Sequence, residues 1–312
     1  MRDGRTSRSA KAGRVLAPRA LRLATLGLML GLAIPSTART PTLSANPPPP
    51  TQPLPYRDVS SRTVLPPAAG FDVAVFEAMA EQLVEGRRVP GLAMAVVQGG
   101  RILSARGYGV TDVARPEPVD AHTVFRLASL CKAFAGTPAG LIVNEGSLRW
   151  DSKVADYVPG FRLADEEYTR RVTVTDLLSH SVGLKAHNAY DRDIEANAEY
   201  YQVAQKLAEA PVQCAPGECY AYQNVAFSLV GDVVFAATGK FYEQEVQRRI
   251  FEPLGMRDAS LGLPGIESSH RWARPHVRSR NGWVSIRPKP TYYRLPPAAG
   301  VNASANDMAQ WL

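Results

Sequence analysis

Four residues of this 312-residue chain have the types and spacing of an acyl-transfer site. Ser129 and Lys132 form a Ser-x-x-Lys sequence, and Tyr222 and Asn224 form a Tyr-x-Asn sequence about ninety residues later. A serine hydroxyl is a weak nucleophile at neutral pH and needs a base that removes its proton as it attacks a carbonyl. Lys132 can be that base if it is held neutral, a form that desolvation favours. The spacing therefore predicts nucleophilic catalysis.

The first pair lies at the predicted start of a helix. From Leu127 onward, the apolar residues of Phe125–Phe134 recur at helical spacing, which places Lys132 one turn after Ser129. A helix start also offers the Ser129 backbone N–H to a developing oxyanion, with support from the helix dipole. We therefore predict Ser129 as the nucleophile and Lys132 as its base.

The second pair completes the predicted site. The phenol of Tyr222, if it lies close to Lys132, passes the proton from Ser129 to the leaving group. Asn224 offers an amide that holds either Lys132 or the substrate's own amide. We predict Tyr222 as a catalytic residue and Asn224 as a substrate-binding residue, with a half-buried structural tyrosine as the alternative for Tyr222.

The formal charge of +7 comes from the N-terminal 45 residues, which hold eight Arg or Lys and one Asp. After subtraction from the totals of 36 and 29, residues 46–312 keep 28 charges of each sign. This balance gives no electrostatic case for nucleic-acid binding, and we predict none. The five His are scattered and the Cys are few, so we also predict no metal site.

Residues 1–45 are predicted to be a secretory signal peptide. A basic stretch precedes the apolar run Leu23–Ile34, and small residues suited to cleavage follow at Ser36–Ala38 and Ser44–Ala45. The apolar run is shorter than the roughly 20 residues that span a bilayer, so we expect no stable membrane span after cleavage. An uncleaved membrane anchor is the alternative. We predict a periplasmic or secreted protein.

Cysteine spacing predicts a disulfide in this exported context. Cys214 and Cys219 flank Ala-Pro-Gly-Glu, a turn-forming sequence that brings their Cα atoms within bonding range. Oxidising compartments preserve such bonds, and two unpaired thiols are the alternative. Cys131 lies between Ser129 and Lys132, but helical rotation points it away from both, which predicts a buried apolar role.

The 45% apolar content suits one large domain, which we place at residues 71–312 after a Pro-rich linker at 46–70. The domain begins with a predicted helix at 71–84 and a hairpin at 91–108 around a glycine turn. Mostly helical signals follow, which predict a helical insertion. The further predicted helices are residues 128–145, 173–180, 195–210, 224–238 and 241–254. Residues 271–297, rich in Arg, Pro and aromatics, are predicted to form loops or irregular extended structure.

The end of the sequence suggests a missing part. Ser304 and Asp307 have the pattern of a helix start with a capping box, and Leu312 follows about two turns later. A two-stranded hairpin is only marginally stable alone, so the hairpin at 91–108 needs further strands. We therefore expect a truncated chain that lacks C-terminal strands.

Four stretches in one order resemble the serine β-lactamase and penicillin-binding-protein superfamily, in particular its class C-like branch. They are Phe125–Phe134, Leu177–Leu184, Pro216–Gly231 and Pro297–Ala309. The resemblance covers roughly residues 71–312. It implies an α+β fold, with an antiparallel sheet flanked by helices and the site in a cleft between the sheet and a helical subdomain.

The family's Ser-x-x-Lys matches Ser129 and Lys132, and its Tyr-x-Asn matches Tyr222 and Asn224. Its third sequence, Lys-Thr-Gly or His-x-Gly, is expected well beyond Gly300 and has no counterpart here. Binding of a substrate carboxylate and the second oxyanion donor depend on that third sequence in the family.

The resemblance implies an exported serine hydrolase that forms an acyl-enzyme without a cofactor. Its substrates would be β-lactams or related amides and esters, that is, small molecules or peptides. Carboxypeptidase activity on D-Ala-D-Ala, D-aminopeptidase activity and esterase activity are alternatives, because pocket loops decide selectivity. A non-catalytic envelope-binding paralogue is the alternative of another class, and the intact set of four residues argues against it. We predict a structural role for His180, and either a pocket or a packing role for Tyr292 and Tyr293.

Overall fold

The computed structural model describes residues 70–312. The predicted signal peptide (1–45) and nearly all of the predicted linker (46–70) therefore lie outside the described residues. Helix α1 (Val73–Glu85) begins after Asp72, whose carboxylate accepts a hydrogen bond from the backbone. It packs against an antiparallel hairpin of β1 (Gly91–Gln98) and β2 (Arg101–Gly109). The helix and the hairpin agree with the elements predicted there.

The hairpin is followed by β3 (Phe125–Arg126) and a 3-10 turn (Ala128–Leu130), which lead into a helical region. Between residues 131 and 238, the described chain forms helices and isolated bridges. The helices are α2 (Cys131–Asn144), α3 (Val154–Tyr157), α4 (Glu166–Arg171), α5 (Val174–Leu178), α6 (Asp191–Glu195), α7 (Tyr200–Gln205) and α8 (Asn224–Thr238). This region has the character of the predicted helical insertion.

Short helices and strands form the remainder of the described chain. They are α9 (Tyr242–Val246), a π turn (Gln247–Phe251), α10 (Glu252–Leu254), β4 (Ser260–Leu261), α11 (Gly262–Glu267), β5 (His276–Ser279), β6 (Gly282–Ser285), a 3-10 turn (Thr291–Arg294), α12 (Pro296–Ala299), β7 (Val301–Ala303) and α13 (Ala305–Trp311). Strand β7 pairs antiparallel with both β3 and β4, and β5 pairs antiparallel with β6. Antiparallel sheets flanked by helices confirm the predicted α+β class.

Helix α8 is buried because apolar residues occupy almost its whole circumference. Nine of its 15 residues are buried, and it contacts α2, α5, α7 and α12. Helix α2 buries one face in the same core, and this face includes Phe134, Ala139 and Ile142. Because both helices are held by this core, their N-terminal ends, which carry Lys132 and Asn224, are fixed relative to each other.

Three segments differ from the predicted elements. Of the helix predicted at 195–210, α7 and the 3-10 turn that follows it form residues 200–209, whereas residues 196–199 are not helical and Asn197 there adopts a left-handed φ of 70°. The helix predicted at 241–254 is interrupted by the π turn. Residues 271–297 are predicted to be loops or irregular extended structure but contain the β5–β6 hairpin and the 3-10 turn Thr291–Arg294.

The capping box predicted at Ser304 and Asp307 is present. The Ser304 hydroxyl accepts from the Asp307 N–H, and the Asp307 carboxylate accepts from the Ser304 N–H. Helix α13 then packs against β1 and β2.

In residues 70–312, no single helix has the length and apolar character to cross a membrane. The bent pair of α8 and Tyr242–Leu254 meets these two criteria jointly.

A disulfide joins Cys214 and Cys219, whose Cα atoms are 6.2 Å apart. The chain after it is held to the turn after α5, because the Ala221 N–H donates to the His180 carbonyl at 2.9 Å. Gly183 lies beneath the disulfide loop with a φ of 99°, and a Cβ on it would be 2.4 Å from the Cys214 carbonyl oxygen. Only glycine fits there without a backbone shift.

Gly183→Ala should therefore lower the free energy of unfolding by about 2 kcal/mol or more. A positive φ costs a non-glycine residue about 1–2 kcal/mol, and the new methyl group also overlaps the Cys214 carbonyl. Gly146→Ala is a matched control, because Gly146 has a φ of 80° but has no atom within 4 Å of an added Cβ. Thermal and denaturant unfolding measure both variants, and equal losses would contradict the predicted clash.

Candidate active site

Ser129 lies in the 3-10 turn between β3 and α2. The Leu127 N–H donates to the Val301 carbonyl at 3.1 Å, which ties the segment before Ser129 to β7. Ala128 has a φ of 48°, in the left-handed region that costs a non-glycine residue about 1–2 kcal/mol. The turn leaves the Ser129 side chain exposed, while Cys131 is fully buried on the other side, as predicted.

The amine of Lys132 lies among three oxygen atoms. Its Nζ donates to Asn224 Oδ1 at 2.7 Å and to the Ala298 carbonyl at 3.3 Å, and lies 3.4 Å from Ser129 Oγ. A neutral amine has two N–H bonds and one lone pair. If the two carbonyl oxygens take both N–H bonds, the lone pair is left for Ser129. This arrangement suits a base that receives the Ser129 proton.

Tyr222 reaches Ser129 from the other side. Its hydroxyl lies 2.7 Å from Ser129 Oγ, and its ring centroid is 4.7 Å from Lys132 Nζ. The Tyr222 backbone N–H donates to His187 Nδ1 at 3.0 Å, and the His180 ring lies 4.4 Å from the tyrosine ring. These contacts hold the phenol over the serine just before α8 begins.

Asn224 uses both ends of its amide within the protein. While Oδ1 faces Lys132, Nδ2 donates to Asp191 Oδ2 at 2.7 Å and to Asn188 Oδ1 at 3.3 Å. The structure thus brings together all four residues that the sequence singled out. The substrate-binding role predicted for Asn224 stays a prediction, and its observed contacts hold Lys132.

Sequence reasoning missed the polar group behind Asn224. Asp191 is buried, and the one Tyr292 hydroxyl proton is shared between Asp191 Oδ2 at 3.2 Å and Glu195 Oε1 at 2.8 Å. Burial raises the pKa of Asp191, and the hydrogen bonds from Asn224 and Tyr292 partly oppose that rise. The sequence gives only a weak signal for Asp191, because polar residues are common in the loops that lead into helices.

These residues surround a cleft of about 390 Å³. Its lining residues are Arg126, Ala128, Ser129, Asn188, Asp191, Tyr222, Asn224, Tyr292 and Ala299. A second groove, of about 450 Å³, shares Arg126 with the cleft but contains none of the four predicted residues. Tyr292 therefore lines the cleft, whereas Tyr293 is buried, lies under the Arg126 guanidinium and donates to Asn302.

His180 packs beneath the site. It has a φ of 59°, its Nδ1 accepts from the Gln223 N–H at 3.1 Å, and its ring stacks on Phe227 at 5.1 Å. Burial, and then the positive charge of Lys132, lower the pKa of His180 to about 4. A histidine with an occupied Nδ1 and a lowered pKa holds the turn before Asn224, which agrees with the structural role predicted for it.

Within residues 70–312, no group of three His, Cys, Asp or Glu side chains is placed to hold a metal ion. The geometry is that of a serine nucleophile served by an amine and a phenol. On a fold of antiparallel sheets and helices, this geometry suits acyl transfer through a serine. The chain matches the Beta-lactamase family model over residues 76–312, and it therefore belongs to this family of serine hydrolases.

Two curated relatives and one solved structure are similar to this chain. It is 30% identical over 232 residues to penicillin-binding protein 4 of Amycolatopsis lactamdurans, covering 74% of this chain and 59% of that protein. It is 32% identical over 280 residues to esterase EstB of Burkholderia gladioli, covering 77% and 69%. The octameric penicillin-binding protein homologue from Pyrococcus abyssi shares the fold, with a TM-score of 0.68, 24% identity and coverage of 77% and 55%. This chain thus spans between 55% and 69% of these three proteins.

The lowered pKa of His180 predicts a dependence of stability on pH. The unfolded histidine takes up a proton below about 6.5 and the folded one only below about 4, so unfolding is favoured as the pH falls through this window. We expect His180 to cost about 1–3 kcal/mol of stability between pH 6.5 and 4. This penalty is absent above the window and complete below it.

His180→Asn should remove that slope, because asparagine tolerates a positive φ and offers an oxygen to the Gln223 N–H. Denaturant unfolding of the wild type and the variant between pH 4 and 7 measures the difference. The exposed His270, substituted in the same way, is the control and should keep the slope. A His180→Asn variant with an unchanged slope would show that this histidine titrates normally.

Proposed function

We propose that this protein is an exported serine hydrolase that acts through an acyl-enzyme at Ser129. The observation that supports this most strongly is the position of the Ser129 hydroxyl, 2.7 Å from the Tyr222 hydroxyl and 3.4 Å from Lys132 Nζ. Ser129 and Tyr222 line one cleft, Lys132 Nζ lies beside Ser129 Oγ, and the family consists of serine hydrolases.

In the proposed acylation, Ser129 Oγ attacks the substrate carbonyl carbon as its proton moves to Lys132 Nζ. The carbonyl oxygen becomes an oxyanion, which the Ser129 backbone N–H at the helix start is placed to stabilise. Collapse of this intermediate breaks the bond to the leaving group. The leaving atom takes a proton from the Tyr222 phenol, and Tyr222 recovers one from Lys132.

Deacylation follows the same route with water as the nucleophile. Lys132 accepts the proton of the attacking water, and the acyl group leaves as a carboxylic acid. Ser129 Oγ takes a proton from the Tyr222 phenol, which recovers one from Lys132. No step needs a metal or an organic cofactor. Each step uses only groups within one or two hydrogen bonds of Ser129 Oγ.

For the substrate, we propose a β-lactam or a related amide or ester. The relative named penicillin-binding protein 4 supports the first class. The relative named an esterase, at 32% identity with 69% of its length covered, supports simple esters as the second candidate. D-Amino-acid peptides fit the same nucleophile. Because pocket loops set selectivity, turnover of matched substrates has to decide among these classes.

Export is part of the proposal. It rests on the apolar run Leu23–Ile34 after a basic stretch, and the Cys214–Cys219 bond suits an oxidising compartment. Cell fractionation with intact-mass measurement of the mature protein tests it. Recovery of the uncleaved chain in the cytoplasm alone would refute export while leaving the chemistry open.

Labelling of the full-length protein tests the nucleophile. A fluorophosphonate probe and a penicillin-type probe should each add one adduct, which intact-mass spectrometry detects and peptide mapping places on Ser129. Ser129→Ala should abolish the adduct, whereas Ser181→Ala, which changes a serine in the loop after α5, should retain it. An adduct that persists in Ser129→Ala would place the nucleophile elsewhere.

Lys132→Ala and Tyr222→Phe should each slow acylation by about 100-fold or more, the scale typical of general acid–base groups. The reason is that each removes one of the two groups that exchange a proton with Ser129. Stopped-flow or time-resolved mass measurement of probe uptake gives the rates. Normal acylation of Tyr222→Phe would mean that the phenol has only a packing role.

A further inference from the structure

We propose that Asp191 is a positioning residue for the reaction at Ser129, an inference that rests on the proposed function. Its buried carboxylate holds the Asn224 amide in the one orientation that presents an oxygen to Lys132. No sequence pattern pointed to Asp191, and it is distant from Ser129 along the chain.

The argument begins with the ambiguity of an amide side chain. The oxygen and nitrogen of an asparagine amide have nearly the same shape, so rotation by 180° exchanges an acceptor for a donor at small steric cost. In the orientation observed for Asn224, Oδ1 accepts from Lys132 Nζ at 2.7 Å. After such a rotation, an N–H group would face the lysine amine instead.

An ionised carboxylate removes this ambiguity because it only accepts hydrogen bonds. Asp191 Oδ2 lies 2.7 Å from Asn224 Nδ2, and a rotated amide would bring two oxygen atoms together there. Asn188 Oδ1, at 3.3 Å from Nδ2, also acts as an acceptor, but its own amide can rotate as well. Asp191 is therefore the contact that determines the orientation.

Asp191 is a costly residue to place at this position. It is 8% exposed, and its second oxygen, Oδ1, is buried without a hydrogen-bond partner in the described part of the chain. A buried carboxylate oxygen left unpaired is destabilising, so the stability of the fold does not explain this residue. Its Oδ2 serves Asn224 and Tyr292, both of which border the cleft.

The orientation of Asn224 matters for the direction of the Lys132 lone pair. With Asn224 Oδ1 and the Ala298 carbonyl as acceptors, a neutral Lys132 directs its lone pair at Ser129 Oγ. With the amide rotated, an Asn224 N–H would donate a hydrogen bond to the lone pair of Lys132. The Lys132 lone pair would then already accept a hydrogen bond and could not receive the Ser129 proton. Acylation would slow without a comparable loss of substrate binding.

The test is a set of variants of the full-length protein, assayed with the fluorophosphonate probe over a range of concentrations. Asp191→Asn keeps the shape of the side chain but can meet either orientation of Asn224, so it no longer selects one. We expect the limiting acylation rate to fall by about 10- to 100-fold, with the apparent probe dissociation constant within about 2-fold. Asp193→Asn, on the same helix and paired with exposed Lys206, is the matched control and should react normally.

Two further measurements separate positioning from a general structural role. In an Asn224→Ala background, Asp191→Asn should cause no additional loss, because its effect passes through Asn224. The exchange variant Asn188→Asp with Asp191→Asn should recover most of the rate, because position 188 already lies next to Nδ2 and aspartate tolerates its φ of 52°.

The outcomes are distinguishable. If the wild-type protein is not labelled, the proposed function fails. If the wild type is labelled and Asp191→Asn reacts equally fast, or if its loss is the same in the Asn224→Ala background, the positioning role is wrong. Should Asp191→Asn not fold, the exchange variant decides: a folded, fast exchange variant supports positioning, and an unfolded or slow one overturns it.

Discussion

The geometry of the site depends on the oxygen atoms that surround one amine. Lys132 lies where three chain segments meet: the turn of Ser129, the start of α8 at Asn224, and α12, which supplies the Ala298 carbonyl. Helix α12 packs against both α2 and α8. A displacement of any of the three segments by about 1 Å would redirect the hydrogen bonds of Lys132, and such displacements alone can cost about 100-fold in rate. The buried core between α2 and α8 is therefore as much a part of the site as the side chains.

The local pairing of Ser129 and Lys132 was predictable because residues three apart lie on one face of a helix. The contribution of Ala298 was not, since a backbone carbonyl has no sequence signature. Asp191 was equally hidden: it is separated from Asn224 by 33 positions, and only the packing of α6 beside the start of α8 brings the two together. Positions that contact one another through tertiary packing alone lie beyond pattern reading.

The elements of the fold also differ in how well the sequence predicted them. Long helices with many buried apolar residues, such as α2 and α8, agree with their predicted ranges within a few residues, since burial of these residues is what stabilises them. The β5–β6 hairpin escaped prediction because most of its residues are exposed, so no apolar alternation marks its strands. Its one turn signal was Asn281-Gly282, where Asn281 ends the turn and Gly282 begins β6.

Cys131 places a thiol between Ser129 and Lys132 in the sequence. Its Sγ lies 3.1 Å from the Val301 N–H and 3.5 Å from the Val301 carbonyl, it is fully buried, and burial raises its pKa to about 11. A thiol that is both inaccessible and protonated reacts with alkylating reagents only while the contact between α2 and β7 is open. Its alkylation rate in the folded protein is therefore a direct measure of how often the segment that carries Ser129 separates from its sheet.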